Sequence, residues 1–438
     1  SALHTAPLDV HDRSPERNGI SMIDGTSTAN QHTNGWFPPR SLVPKATTVR
    51  ARSYKEGQLP GPVSTRTFFV GLDPAAMWGL PVISLTTPAD GLFDYNTGIY
   101  MLGKVFDDYR AAHPGEALTG HTPANYTQRG DAWERLGSFE FFDSDGHPAV
   151  RQNVLLDIQG QSSRSFRQKS FGLKPRGELQ PSDAFEYPLF PGLQRRGLGG
   201  ERRTFTGLRL RNSGNDWDYT MFRDALCHRL VATTGIDVMT PRPVVVFLNG
   251  EFWGLYQMQE QGDLESVAEH YGIAEEELTL AEADGSFKEG NSSGVASYRT
   301  LRRLVDRGDL SDPNVFAEVS ALMDVDNFLR YQLAEIYLGN ADWPHNNIRY
   351  WRGPAPEPDA VDVLPGHDGR WRWMLFDTDL AYGHPWSGGV ADATLAAAIS
   401  PNGRPGLNAP WSTALLRGLL ENPNFRNDFI NSMACYLN

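Results

Sequence analysis

DVDNFLRYQLAEIYLGNADWPHNNIRYWR (residues 324–352) and RWRWMLFDTDLAYG (residues 370–383) are the stretches on which the reading of this chain turns. Val325, Phe328, Leu329, Leu333, Ile336 and Tyr337 recur at helical spacing behind Asp324 or Asp326 as N-cap. Pro344 cannot continue a helix, so the pattern breaks into a loop bearing Asp342, Asn346 and Asn347. IRYWR and RWRWMLF then read as two strands of a hairpin flanking a Pro/Gly-rich excursion, and the second strand ends on Asp377-Thr378-Asp379. Acidic and amide oxygens gathered at the ends of apolar strands are costly unless something cationic sits between them. Mg²⁺ takes such hard oxygen ligands and usually adds phosphate oxygens from a nucleotide.

Composition sets the limits. A chain of 438 residues suits two or three domains, and 40% hydrophobic residues with a mean hydropathy of -0.43 suit a globular one. No apolar run approaches the roughly 20 residues of a bilayer span. The net charge of -13 speaks against a nucleic-acid partner, because phosphate backbones attract basic surfaces. Cys227 and Cys435 lack metal-site spacing and are too few for a disulfide scaffold. The opening SALHTAPL has no basic region followed by an apolar core, so no signal peptide is expected within the chain.

In chain order, residues 1–45 read as a poorly ordered lead-in rich in Ser, Thr, Asn, Pro and Gly. Residues 46–71 alternate apolar positions around Gly/Pro turns. They resemble the end of the β-sandwich module, of the chitobiase C-terminal type, appended to many secreted carbohydrate-active proteins. A β extension of the next domain is the other reading. From residue 72 onward the pattern is mixed. LPVISLTT is a buried strand, and Asp145-Gly146 marks a hairpin of the type I′ kind. NVLLDIQG runs into GQSSRSFRQKSFGLK, where Gly160, Ser162, Ser163 and Ser165 make a polar turn. Lys169 and Lys174 follow on the next strand. Backbone amides and hydroxyls at such a turn can cradle phosphate, and a lysine can reach it; solvated lysines on a hairpin are the plainer account. A helix of about four turns through Met221–Leu230 stops at Gly235, and Asn249-Gly250 joins two apolar strands, the second ending at Glu260.

Strung together, strands, a polar turn, a lysine strand, one helix, a hairpin, a helical stretch, a D-x-x-x-x-N loop and a further Asp follow the order of parts in a protein kinase. Asp342 and Asn347 meet that five-residue spacing. In kinases that Asp accepts the acceptor hydroxyl proton, the Asn binds metal, and the Asp after the next hairpin binds Mg²⁺. The H-R-D, V-A-I-K and D-F-G words are absent. The blocks GQSSRSFRQKSFGLK, NDWDYTMFRDAL, RPVVVFLNGEFWGLYQMQE, NADWPHNNIRYWR and RWRWMLFDTDLAYG together resemble the CotH family of spore-coat and secretion-associated atypical protein kinases, over roughly residues 80–438.

The resemblance implies an α+β, two-lobed atypical kinase fold over residues 72–438, with an N-lobe of about 72–260 and a C-lobe of about 261–438, preceded by the partial β-sandwich or hairpin. It implies ATP with Mg²⁺ or Mn²⁺ as cofactors. Lys169 would then lie on the ATP phosphates, with Ser162, Ser163 and Arg164 at the phosphate turn and Glu260 near the nucleotide. Asp342 would be the catalytic-loop Asp, Asn347 or Asn346 the metal-side amide, and Asp377 the metal carboxylate, with Asp379 sharing the metal or holding the loop. The expected reaction is phosphoryl transfer to Ser or Thr hydroxyls of extracytoplasmic proteins, with no nucleic-acid partner and no membrane span. AMP transfer, amino-acid ligation such as glutamylation, and a non-catalytic surface or adhesion role are the alternatives. Each residue also has a plainer reading. Asp342 could cap a turn or bind Arg349, His345 could be an exposed loop histidine, and Trp217, Trp253, Trp343, Trp371 and Trp373 are read as packing. No Glu occupies the helix that usually pairs with the kinase lysine.

Overall fold

Buried runs alternating with half-exposed ones account for the first half of the chain. In a computed structural model, residues 6–27, 38–176, 182–357, 359–385, 393–401 and 410–437 are described. The chain divides into two units. The first comprises residues 1–187, 203–214 and 242–259, and the second residues 188–202, 215–241 and 260–438. The division therefore differs from a single crossing near residue 260, because two earlier segments leave the β-rich unit to join the helical one.

The first unit begins with a hairpin of β1 (Thr47–Ala51) and β2 (Ser64–Phe68). Short helices α1 (Pro74–Trp78), α2 (Ala89–Phe93) and α3 (Gly103–Ala112) flank β3 (Val82–Thr86). There follow β4 (Arg135–Phe142), β5 (Pro148–Gln159), β6 (Ser170–Pro175), the two-residue pair β7 (Phe185–Glu186) and β8 (Thr204–Phe205), then β9 (Leu208–Arg211), β10 (Pro241–Leu248) and β11 (Glu251–Glu260). Seven of these close a barrel in the order β10-β11-β9-β6-β5-β4-β3, completed by a parallel β3–β10 pairing. One sheet face carries Ile83, Leu85, Phe139, Phe141, Leu156, Phe171, Leu173 and Leu210, all buried. Such continuous burial is what lets so many β-branched and aromatic residues pair.

Three expectations need correcting here. Residues 46–71 form a two-stranded hairpin, and no sandwich is seen among the described residues. Among the described residues β1 and β2 pair only with each other, and the inward hydroxyls of Thr65 and Thr67 donate to Ser138 (2.6 Å) and to Ser84 (2.8 Å) and Glu140 (2.5 Å) of the barrel strands. The hairpin is a β extension of the barrel. Nor are the described parts of residues 1–45 a loose lead-in. The Gly19 and Ser21 amides donate to the Glu251 carboxylate, Arg13 Nη1 donates to Ala46 O, and Arg167 Nη2 donates to Ile23 O. Buried Lys45 donates to Asn18 Oδ1 and Val43 O. Finally, Asp145-Gly146 does turn the β4–β5 hairpin, but only Gly146 has positive φ, and its N–H closes on Asp143 O. At Asn249-Gly250 both residues have positive φ, as a type I′ turn requires.

The second unit holds α4 (Arg223–Val231), α5 (Leu264–Tyr271), the sheet β13-β12-β14-β15 and the helices α6 (Val295–Arg307), α7 (Pro313–Leu322) and α8 (Val325–Leu338). Its strands are β12 (Thr279–Glu282), β13 (Ser286–Gly290), β14 (Arg349–Arg352) and β15 (Trp371–Met374). Helices α9 (Thr394–Ile399), α10 (Trp411–Leu419) and α11 (Pro423–Leu437) complete it. Helix α8 begins where the Asp324 carboxylate caps Asn327 N, and ends at Gly339 with φ 62°. Phe328, Leu333 and Ile336 of α8 share a core with Trp343, Tyr350, Trp371 and Trp373, so these tryptophans are packing residues as expected. Among the described residues no helix is long and apolar enough to cross a membrane.

Candidate functional site

The β14–β15 ladder pairs Arg349 with Met374, so the loop entering β14 and the segment leaving β15 emerge from the same end of one hairpin. Asp342, Asn346 and Asn347 precede that end and Asp377 follows it. Asn347 Nδ2 donates to Asp342 Oδ2 at 2.9 Å and lies 3.3 Å from Asp377 O; Asn346 Nδ2 donates to the same Asp342 oxygen at 3.0 Å. Asn347 and Asp377 adopt left-handed φ values of 56° and 53°. Such backbone costs free energy and persists only where surrounding structure dictates it. Burial raises the Asp342 carboxyl above its usual range and the Asp377 charge adds to the effect, partly opposed by Asn346, His345 and Asn347. Two carboxylates that feel each other across a pair of amides are a site where positive charge is welcome. His345 Nε2 stands 3.7 Å from Asp342 Oδ1.

Asp377 and Asp379 have separate fates. Asp379 is buried, with one oxygen accepting the Asn215 backbone N–H (2.9 Å) and the other Asn215 Nδ2 (3.1 Å). Asp377 is half-buried at the tip. Helix α4 clamps the same segment. Asp224 Oδ1 accepts the Thr378 amide and hydroxyl, and Arg223 Nη1 donates to Ala381 O and Tyr382 O while its Nε donates to Asp216. Asn215, Arg223 and Asp224 were not expected at this site, since nothing in their local sequence announces a partner more than 150 residues away. The missing glutamate of this helix is thus replaced by an Asp that holds a backbone.

Three residues assigned by resemblance are placed differently. The Lys169 ammonium is fully buried and donates to Arg164 O (2.6 Å) and Phe166 O (2.7 Å), 3.9 Å from the centre of the Tyr126 ring. Two carbonyls and an aromatic face surround its three N–H bonds. Burial, followed by Arg164 and Arg167, holds its pKa well below the usual lysine value. Arg164 is likewise buried, donating to the carbonyls of Gly160, Tyr126 and Gln128, and burial brings its pKa down to about 10. Ser162 and Ser163 remain half-exposed at the turn. Glu260 is buried in the second unit. Its Oε1 accepts Arg202 Nη1 and His270 Nε2, and its Oε2 accepts the Thr240 amide at 2.9 Å. Burial alone would raise this carboxyl, but His270, Arg202 and Arg196 together pull it far below the carboxylate range. Both of its oxygens are engaged by these neighbours. Lys174 instead stands on the sheet face opposite Phe171 and Leu173, and the register sets Arg209 and Asp157 on that same face through Gly172.

A family model described as CotH kinase protein matches residues 156–438, more than half of the chain. The chain belongs to the CotH kinase family. No curated protein matches it. The CotH match begins within β5 and takes in the whole of the Asp342–Asp377 arrangement. Among the described residues no group of three or more His, Cys, Asp or Glu side chains forms a metal cluster. The Asp342–Asp377 arrangement offers two carboxylates and two amides instead. That donor set fits Mg²⁺ or Mn²⁺, which is commonly held by one or two carboxylates together with substrate phosphates.

Proposed function

We propose that this CotH-family chain catalyses ATP-dependent phosphoryl transfer to Ser or Thr hydroxyls of extracytoplasmic proteins. The observation that carries the reading is the hydrogen-bonded Asp342–Asn347 pair, with Asp377 O at the same amide, at the open end of one hairpin. Asp377 and the Asn347 side-chain oxygen are the residues that would hold Mg²⁺, which would neutralise phosphate charge when bound. Asp342 orients the acceptor hydroxyl and takes its proton; Asn346 and Asn347 fix that carboxylate by bonding one of its oxygens. Asp379 positions the loop rather than the metal. Phosphoryl transfer needs little beyond positioning and electrostatics, which this arrangement supplies. The fold is read as two-lobed and kinase-like. The extracytoplasmic setting follows the family.

The test is incubation with γ-labelled ATP in Mg²⁺ and in Mn²⁺, comparing wild type with Asp377→Ala. Label taken up by wild type and lost in the variant is the expected result. Label transferred only from α-labelled ATP would replace phosphorylation with AMP transfer, and added mass without label would indicate ligation. No transfer and no thermal shift with ATP would leave a non-catalytic binding protein.

A further inference from the structure

Behind the Asp342 loop lies a buried acid that the proposed reaction does not use. Glu335, near the end of α8, is fully buried, as are Tyr331 and Trp343. Glu335 Oε2 accepts Asn340 Nδ2 at 2.9 Å, and Asn340 Oδ1 accepts the Asp342 backbone N–H at 3.2 Å. The other oxygen, Glu335 Oε1, is buried without a hydrogen-bond partner, and so are Tyr331 Oη and Trp343 Nε1. The Tyr331 hydroxyl is close enough to both neighbours for each to perturb it, although none of the three makes a well-formed bond.

Resting on the kinase reading, we propose that Glu335 is a positioning residue for Asp342, fixing the Asn340 side chain so that its oxygen holds the Asp342 amide. The direction of the Asn340 amide decides the matter. While its nitrogen is engaged by Glu335, its oxygen faces Asp342 N; without Glu335 only the long 3.2 Å bond from Asp342 N opposes the reversed orientation, which sets an N–H against an N–H. Asn340 is itself fully buried, so neither end has water to fall back on. The groups that act on Glu335 are Asn340, Tyr331 and Asp342, and no cation is among them. Burial leads these effects and raises its pKa to about 8. It therefore works at neutral pH as an un-ionised acid, which spares Asp342 a second negative charge.

The experiment compares Glu335→Gln and Glu335→Ala in the full chain. Gln keeps the size, the neutrality and the acceptor for Asn340. We expect Gln to retain kcat within about threefold, and Ala to lose it by tenfold or more with KM for ATP within about twofold, because the loss is of orientation and not of binding. Wild-type kcat should also fall above about pH 8, and Gln should remove that fall. Ala with unchanged kcat, or Gln as impaired as Ala while melting like wild type, overturns the proposal. A cycle of Glu335→Ala and Asn340→Ala read by melting temperature separates this from failure of the kinase reading. The double variant should lose clearly less than the two single losses added together. If wild type transfers no phosphate, the kinase reading falls and the cycle alone decides; additive losses then overturn the link from Glu335 to the loop.

Discussion

Removing the Glu260 carboxylate distinguishes a structural ion-pair centre from a nucleotide contact. Glu260 accepts from Arg202, His270 and the Thr240 amide, and both Arg202 and His270 are nine-tenths or more buried. Glu260→Ala removes one ion partner of the buried Arg202 guanidinium, which also faces Glu269. Breaking a buried pair from one side costs about 3–5 kcal/mol, and the Glu269 contact argues for the lower end, about 3 kcal/mol. Glu260→Gln keeps an acceptor and the shape but loses the charge, so about 2 kcal/mol is expected, the scale of one charge-assisted hydrogen bond. Urea unfolding of each variant, followed through the transition of the second unit, measures this as a lower midpoint at unchanged slope.

The pH dependence gives an independent check with a definite sign. The folded carboxyl titrates below its ordinary value of 4.5. Its contribution is therefore present above about pH 4.5 and is lost as pH falls through the depressed folded value. The stability gap between wild type and Glu260→Gln should be full at pH 7 and narrow steadily below pH 4.5. A Glu260→Ala loss under about 1 kcal/mol, with weakened ATP binding instead, would refute the assignment of this residue to the structural centre.

Other substitutions separate residues that the sequence treats alike. Lys169→Met should lower the melting temperature by several degrees, since it leaves the carbonyls of Arg164 and Phe166 without their donor. Asp377→Asn should abolish transfer at nearly wild-type stability. Asp379→Ala should destabilise by about 1–3 kcal/mol in urea, since it strips both Asn215 contacts from a buried carboxylate. Glu251→Ala should raise hydrogen exchange at the Gly19 and Ser21 amides, which lose their acceptor, while the barrel amides stay protected.

What was legible in the sequence was whatever local pattern controls. The α8 cap at Asp324, the stop at Gly339, the Asn249-Gly250 hairpin and the two Trp-rich strands all follow from residues within a few positions of one another. The loop that carries Asp342, Asn346 and Asn347 was legible from Pro344, but the bonds from both amides to Asp342 were not, because spacing gives proximity without partners. The lysine was not legible. Lys169 and Lys174 are five apart on one extended segment, so they point to opposite faces, and alternation alone does not say which face is sealed. Tyr100 and Tyr126 seal it, and both lie more than 40 residues earlier in the chain.

The same logic explains why two neighbouring aspartates take different duties. Asp377 and Asp379 look equivalent in the chain, but α4 and the segment before it bring Asn215 and Asp224 to one side of the loop only. Asn215 occupies both oxygens of Asp379, and Asp224 fixes Thr378 between the two carboxylates. With residues 378 and 379 anchored and φ of Asp377 turned to 53°, the Asp377 carboxylate is the one left at the half-buried tip beside the Asp342 loop. A single substitution tests that dependence. Asp224→Asn keeps the Oδ1 that accepts both the Thr378 amide and its hydroxyl, whereas Asp224→Ala removes both bonds. If the clamp is what aims Asp377, Ala should depress transfer by tenfold or more and Asn much less. Equal activity in the two would mean that the loop holds its shape without α4.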